Sequence, residues 1–568
     1  MKKLNIGNSD FKSIIQNNNY FVDKSLFIQE IIDGQNQVVL VPRPRRFGKT
    51  LNMSMLRYFF DINRPENKSL FENLKIWQTP TEITSKQGKF PVIYLSFKDA
   101  KAGTWTETFE YISTEIIKLY AANDYLNAGD FLKPYEKNVF NKILNKDATI
   151  VEYAYSLQAL CEYLHRFYNQ KVVILIDEYD TPIHAGYKKF YSEVVSFMRN
   201  FLSATFKDNT NLYKGVITGI LRVSRESIFS GVNNISVCTM LDEEFSDKFG
   251  FTEEETRQML KDFDVATDYD QIQNWYDGYT IGDKKGIYNP WSIINFISAI
   301  NKGFKPYWVN TSSDDLLKAQ INHRNSNHIR EQIFQLINNQ PIEKIIEENF
   351  VFNDLDKNQE LLWTLLLFSG YLTVEKKLGT NRYLLKIPNF EIEFVFKNIV
   401  LLWLNTEVKI QQNLLIETAK HLTNNEIEKF EKGFKKIIGD TFSYFDIAGE
   451  AENVYQAYIL GLFAVIGDDY LIKSNRESGE GRYDIMLIPH DKTKFGVVIE
   501  IKQVKVKNEI SERQLQELVN TKIKEAKHQI EQNQYFKELI DNKVNNIIKL
   551  PIVFVGKTPY ILPLQSEN

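Results

Sequence analysis

Residues 38–56 read VVLVPRPRRFGKTLNMSML. Four apolar residues run into a turn of proline and arginine, and GKT then opens a stretch with helical spacing. That order is a buried strand, a phosphate-type loop and a helix. Such a loop usually begins with glycine five residues before the Gly of GKT, and here that position is Arg43. The chemistry requires backbone N–H groups pointing at the phosphates, aided by the positive end of the following helix. Gly48 permits the close approach, Lys49 would reach the β- and γ-phosphates, and Thr50 would ligate Mg²⁺ through its hydroxyl. Arg45 and Arg46 add positive charge beside them.

The other half of a nucleotide site is an apolar strand ending in an acid, and VVILIDEYD (172–180) supplies it. Asp177 would hold the magnesium-bound water, and Glu178 would polarise the water that attacks the γ-phosphate. After the strand-like GVITGI (215–220), Thr218 is placed to sense the γ-phosphate. Arg222 or Arg225, in LRVSRES, could serve as an arginine finger in cis or in trans. Surface ion pairs are the plain alternative for either arginine. With VIYLSF (92–97), these short apolar runs alternate with helical stretches such as 151–168, which is an α/β doubly wound pattern.

Here the sequence resembles a known group. FVDKSLFIQEII (21–32), VPRPRRFGKTLNMSML, ILIDEYDTPI (175–183) and TGILRVSRESIFSGVNN (218–234) are similar to the bacterial AAA-ATPase-like family with a PRRFGKT loop. The resemblance covers most of residues 4–300. It implies an ATPase whose loop carries arginine in the leading position, so Arg43 does not signal a dead site. Asp23 and Lys24 match that family's VDK element, with a helix cap at Asp23 as the plain alternative.

The chain has 568 residues, too many for one core, and divides into an ATPase domain at 1–300, a helical domain at 301–424 and a third domain at 425–568. Its 43% hydrophobic and 25% charged residues are those of a globular protein, and a formal net charge of −4 confines any nucleic-acid surface to a local patch. Two cysteines, Cys161 and Cys238, exclude a disulfide framework and a cysteine zinc site. MKKLNIGNSDF lacks the apolar core of a signal peptide, and IVLLWL (399–404) is far shorter than a membrane span, so the expectation is a cytoplasmic protein without a membrane partner. The seven histidines show no ligand spacing; His323 and His328 read as surface residues.

In the middle, LLWTLLLFSGYLTV (361–374), YLLKIPN and EIEFVFKNIVLLWL give helix, strand, turn, strand, helix. That is the order of a winged helix; the alternative is a helical connector carrying one hairpin.

The last part reads as αβββαβ: a helix at 451–467, strands at 468–474, 482–489 and 495–506, a long helix at 511–540 and a strand at 550–556. Asp484 lies near the start of one strand. Glu500 and Lys502 lie two apart on the next and share a face. Two carboxylates and a carbonyl oxygen are hard ligands suited to Mg²⁺ or Mn²⁺, and Lys502 would orient a water or neutralise developing charge. An alternating strand with Glu500 and Lys502 toward solvent is the plain alternative.

This segment resembles the PD-(D/E)XK nuclease superfamily, in the version fused behind the ATPase family just named. Tyr483 stands where the name-giving proline would be. The resemblance implies a restriction-endonuclease-like fold and metal-dependent phosphodiester hydrolysis by Asp484, Glu500 and Lys502. It adds Glu452 on the first helix as a further metal-side acid, with Glu450 competing, and Gln529 as a supporting polar residue. Lys502, Lys505 and Lys507, with Lys522, Lys524 and Lys527, form a basic stripe able to track a phosphate backbone, or an ordinary solvated face.

The expected protein therefore binds and hydrolyses ATP and carries a nuclease acting on DNA or RNA, DNA favoured, with nucleotide state gating or positioning the nuclease. It leaves room for a homo-oligomer. The rivals are an ATP-switched nucleic-acid-binding or signalling protein whose nuclease-like domain is non-catalytic, and an ATP-driven remodeller of protein partners.

Overall fold

The computed structural model describes residues 2–221, 234–308, 327–349, 354–355, 357–406, 411–445, 452–467, 469–478, 481–504, 511–556 and 558–562. The chain forms two compact units, one of residues 1–312 and 343–391, the other of 313–342 and 392–568.

The first unit is built on a parallel sheet of β1 (Val38–Pro42), β2 (Val92–Ser96), β3 (Val172–Asp177), β4 (Leu212–Gly219) and β5 (Ile235–Val237). Its order is β2-β3-β4-β1-β5. Strands β1 and β3 are buried at every residue, which is why they read as continuous apolar runs. Strand β2 lies at the sheet's edge, and its burial alternates. The register pairs Val41 with Thr218 and Ser96 with Asp177, so the loop after β1, the acid ending β3 and Thr218 near the end of β4 meet at one edge. The carboxyl ends of parallel strands are where α/β sheets hold ligands.

Chain 238–308 then returns to the loop after β1. It includes a small hairpin, β6 (Tyr279–Ile281) and β7 (Lys284–Ile287), and the helix Pro290–Ser298. A three-stranded sheet follows in the order β8-β10-β9, from β8 (Ile342–Ile345), β9 (Thr373–Lys377) and β10 (Arg382–Lys386). With the helices Leu361–Phe368 and Phe390–Thr406, the expected helix, strand, turn, strand, helix order is present.

The division of the chain differs from the expected 1–300, 301–424 and 425–568. Segment 343–391 packs with the first unit: Tyr279 donates to Gly370 O, Asn389 donates to Asp277 O, and Gly278 lies so close to Pro388 that a Cβ would sit 2.0 Å from its carbonyl oxygen. Residues 392 onward belong to the second unit, where Lys397 pairs with Glu393 at 2.7 Å and donates to Ile472 O. The helical composition that begins near 305 therefore does not mark a boundary, because long-range packing divides the segment.

The second unit carries a mixed sheet in the order β11-β12-β13-β14-β15. Its strands are β11 (Tyr470–Ser478), β12 (Gly481–Pro489), β13 (Gly496–Val504), β14 (Ile547–Val555) and β15 (Thr558–Tyr560). Strands β13 and β14 are parallel and the other pairs antiparallel. The helix Glu512–Gln532, capped by Ser511, buries Val519, Ile523, Ala526 and Ile530, a stripe at helical spacing. Ile530 packs with Val498, and Val519 and Ile523 pack with Val553. The helix Glu452–Phe463 sets Tyr455 against Phe554, ring centres 4.3 Å apart. No helix among the described residues is long and apolar enough to cross a membrane. Both cysteines are buried and free.

Candidate functional site

Two groups of polar side chains stand out, one in each unit. In the first, Gly48 takes φ +86° immediately before the helix Lys49–Phe60, a conformation glycine adopts without penalty. Thr50 donates to Asp177 Oδ2 at 2.8 Å, and Thr218 donates to Asp177 Oδ1. Burial raises the Asp177 carboxyl above its ordinary value, against the pull of those two hydroxyls. Lys49 is buried and donates to Arg43 O at 2.9 Å and Pro44 O at 3.0 Å. Burial lowers its ammonium while Glu178, Asp177 and Asp180 draw it back up. The loop lysine thus occupies its own loop's carbonyls, which an anionic ligand would replace. A hydroxyl and a carboxylate in contact are a hard-oxygen pair that fits Mg²⁺.

Arg43 has a role that sequence reasoning missed. It is fully buried, donating to Pro42 O and Cys238 O at 2.8 and 2.7 Å and to the carbonyls of Glu244 and Phe245, with its guanidinium over the Phe249 ring. Desolvation pushes it down to about 10. Glycine's usual place is therefore taken by a brace that ties the loop to residues 238–249. Residues further along the chain grip the rest of the loop: Gly250 N donates to Phe47 O, and Trp308 Nε1 donates to Arg45 O at 3.2 Å. Arg46, at φ +69°, lies 4.1 Å over the Trp291 ring, and burial lowers it against the attraction of Glu178.

Glu178 takes φ +53°, a left-handed conformation that costs a non-glycine residue about 1–3 kcal/mol and collects at functional sites. Arg222 and Arg225 lie outside the described residues. Asp23 accepts from Ser25 N and Lys75 N, and Lys24 is buried, paired with Glu255 at 2.6 Å and donating to Asp247 O. The VDK element is thus a structural joint of the first unit.

In the second unit, the β12–β13 ladder pairs Ile485 with Ile499. Beyond that pair, Asp484 Oδ2 accepts the Ile501 N–H at 2.6 Å, so a carboxylate replaces the ladder bond. Glu500 is only 3% exposed, which rules out the solvent-facing alternative. Lys502 donates to Glu500 Oε1 at 2.8 Å and to Gln529 Oε1 at 2.7 Å. Gln529 donates in turn to Tyr535. Glu500 and Lys502 share the strand face of Val498, which packs beneath the helix that bears Gln529.

Tyr483, at the position named for proline, is buried in the same cluster and donates to Glu538 at 3.1 Å. Gln456 was missed: on the first helix and 2% exposed, it donates to Asp484 O at 2.7 Å. Glu452 begins that helix, and its side chain lies outside the described residues, as do Glu450, Lys505, Lys507, His323 and the side chain of His328. No group of three or more His, Cys, Asp or Glu suited to a metal occurs among the described residues. Asp484, Glu500 and a main-chain carbonyl are hard oxygen donors, of a kind that would suit Mg²⁺ or Mn²⁺ better than zinc.

Residues 5–229 match the AAA-ATPase-like family model, described as "Predicted AAA-ATPase", and residues 450–562 match that of the PD-(D/E)XK nuclease superfamily. The chain joins an AAA-ATPase-like domain to a PD-(D/E)XK nuclease superfamily domain. A protein of Azotobacter chroococcum mcd 1, described as "Uncharacterized protein in vnfD 5'region", is 25% identical over 407 residues, 71% of this chain and 70% of that one. Among solved structures, the Walker-type ATPase paby2304 of Pyrococcus abyssi is similar at a TM-score of 0.34 and 12% identity, covering 66% of this chain and 94% of that one.

Proposed function

We propose that this protein is an ATP-hydrolysing nuclease in which nucleotide state gates or positions metal-dependent cleavage of nucleic acid, with DNA the favoured substrate. The observation that carries the reading is Lys502 held between buried Glu500 and Gln529, beside the point where Asp484 takes over from the strand ladder. A solvated Glu-x-Lys triplet has no reason to bury its acid, since burying a charge is costly unless it is paired.

In the first unit, Lys49 exchanges the carbonyls of Arg43 and Pro44 for the β- and γ-phosphates. Thr50 and Asp177 hold Mg²⁺, and Glu178 accepts the proton of the attacking water. Thr218, bonded to Asp177, reports the state of the γ-phosphate side, with Arg222 or Arg225 supplying charge stabilisation. In the second unit, Asp484 and Glu500, with Glu452, hold Mg²⁺ or Mn²⁺. A cation held there would supply Lewis-acid polarisation of the scissile phosphate and of a water. Lys502 orients that water and offsets the charge gathering on the phosphate, while Gln529 fixes the direction of its ammonium. Asp484 in turn depends on Gln456 and on the Ile501 amide for its position.

The test is cleavage of supercoiled plasmid, linear duplex, single-stranded DNA and RNA with Mg²⁺ or Mn²⁺, comparing the wild type with Lys502→Ala. Cutting by the wild type and none by the variant supports the reading. No cutting of any substrate with either metal reduces the second unit to a docking module.

A further inference from the structure

The turn after β3 is fastened to the end of β4 by an acid with no assigned role. Asp180 is 2% exposed, and its Oδ2 accepts the amides of Ile220 at 2.8 Å and Leu221 at 3.0 Å. His184 Nε2 lies 3.2 Å from the same oxygen. Burial alone would raise this carboxyl, yet His184 and the two amides hold it below the usual carboxylate range.

Two further bonds run in parallel: Tyr179 N donates to Thr218 O at 3.0 Å, and Tyr179 OH donates to Leu221 O at 2.7 Å. Gly219 lies inside this clasp, where a Cβ would stand 2.7 Å from Asp180 Oδ1 and from the Tyr179 ring. The carbonyl of Gly219 accepts the Arg43 amide at 3.0 Å, so the clasp reaches the first residue of the phosphate loop. Between Asp177 and this clasp sits Glu178 in its left-handed conformation. A residue persists there only when its surroundings over-determine it.

We propose that Asp180 is a positioning residue for ATP hydrolysis: by clasping Ile220 and Leu221 it fixes the turn that aims Glu178 at the attacking water. The proposal rests on the reading of Glu178 as the water-polarising group. It separates orientation from binding, because Asp180 touches neither Lys49 nor Thr50 through any bond described above.

The experiment measures steady-state ATP hydrolysis, equilibrium binding of a fluorescent ATP analogue and thermal unfolding on the full chain. The variants are Asp180→Asn, Gly219→Ala and Tyr179→Phe. Misaiming a catalytic group by a fraction of an ångström to an ångström predicts a kcat loss on the order of 10- to 100-fold for the first two. Analogue affinity stays within roughly threefold, since Lys49 and Thr50 keep their own bonds and Asp180 acts on Lys49 through its charge alone. A purely structural role would instead lower kcat, affinity and unfolding temperature together, and that pattern overturns the proposal. If Asp180→Asn does not fold, Tyr179→Phe decides: it loses one bond of the clasp, and kcat falls with affinity kept, whereas a wild-type kcat overturns the proposal. An active wild type with unchanged Asp180→Asn turnover overturns this proposal alone. An inactive wild type overturns the hydrolytic reading and this proposal with it.

Discussion

Thr50 donates to Asp177 at 2.8 Å across 127 residues of sequence. That single bond joins the phosphate loop after β1 to the acid at the end of β3, two strands that are not neighbours, because β4 lies between them and contributes Thr218 to the same carboxylate. The two halves of the candidate nucleotide site therefore meet on one carboxylate.

Lys49 tests that arrangement. Its ammonium already donates to two carbonyls, so ligand binding gains the difference between those and a charge-assisted phosphate bond. A hydrogen bond to a charged group contributes about 1.5–3 kcal/mol, so Lys49→Ala should weaken ATP binding roughly 10- to 100-fold. Isothermal titration calorimetry checks it, and unchanged affinity would remove Lys49 from the site.

Arg43→Gly restores the residue usual in such loops and should nevertheless be harmful. It strips donors from the buried carbonyls of Cys238 and Phe245 and from the half-buried carbonyl of Glu244. Each buried group left unsatisfied costs about 1–3 kcal/mol, so a total loss of about 3 kcal/mol or more is expected in chemical unfolding. A stability equal to wild type would show that the brace is dispensable.

The pair in the second unit makes a contrasting prediction. Lys502→Ala leaves the buried Glu500 charge without its ammonium, which should cost about 3 kcal/mol. Adding Glu500→Gln should recover most of that stability while leaving cleavage absent. Urea unfolding of both single variants and the double variant measures the coupling; additive losses would deny the ion pair.

Glu391 supplies a pH dependence. It is buried, accepts from Ser292 and from Trp308 N at 2.6 Å each, and burial raises it to about 7 against those bonds. Its folded form holds a proton that the unfolded chain releases near pH 4.5. Its contribution is thus complete below that pH and is lost as pH rises toward 7. The unfolding temperature should fall over that window in the wild type and fall less in Glu391→Gln; identical profiles would sink the assignment.

The sequence made much of this visible, for reasons particular residues explain. Strands β1 and β3 are covered on both faces, so VVLV and VVILID carry no alternation and were recognisable as interior parallel strands. The αβββαβ order was legible because its apolar runs are separated by polar turns. Burial of Glu500 was not legible, since an alternating strand looks the same whether its second face meets water or the helix Glu512–Gln532. Arg43 and Asp180 were in view as letters, yet their partners are main-chain groups of Cys238, Glu244, Ile220 and Leu221, and backbone partners leave no mark in a side-chain pattern. The split of the middle segment was hidden for the same reason, because it rests on contacts such as Gly278 against Pro388.

If nucleotide state controls cutting, ATP must change the rate of the nuclease. The most direct measurement is the rate of duplex DNA cleavage in Mg²⁺, with and without ATP, for the wild type and Lys49→Ala. ATP should change the wild-type rate severalfold and leave the Lys49→Ala rate unmoved. Equal cleavage with and without ATP in the wild type, under conditions where ATP is bound, would contradict it.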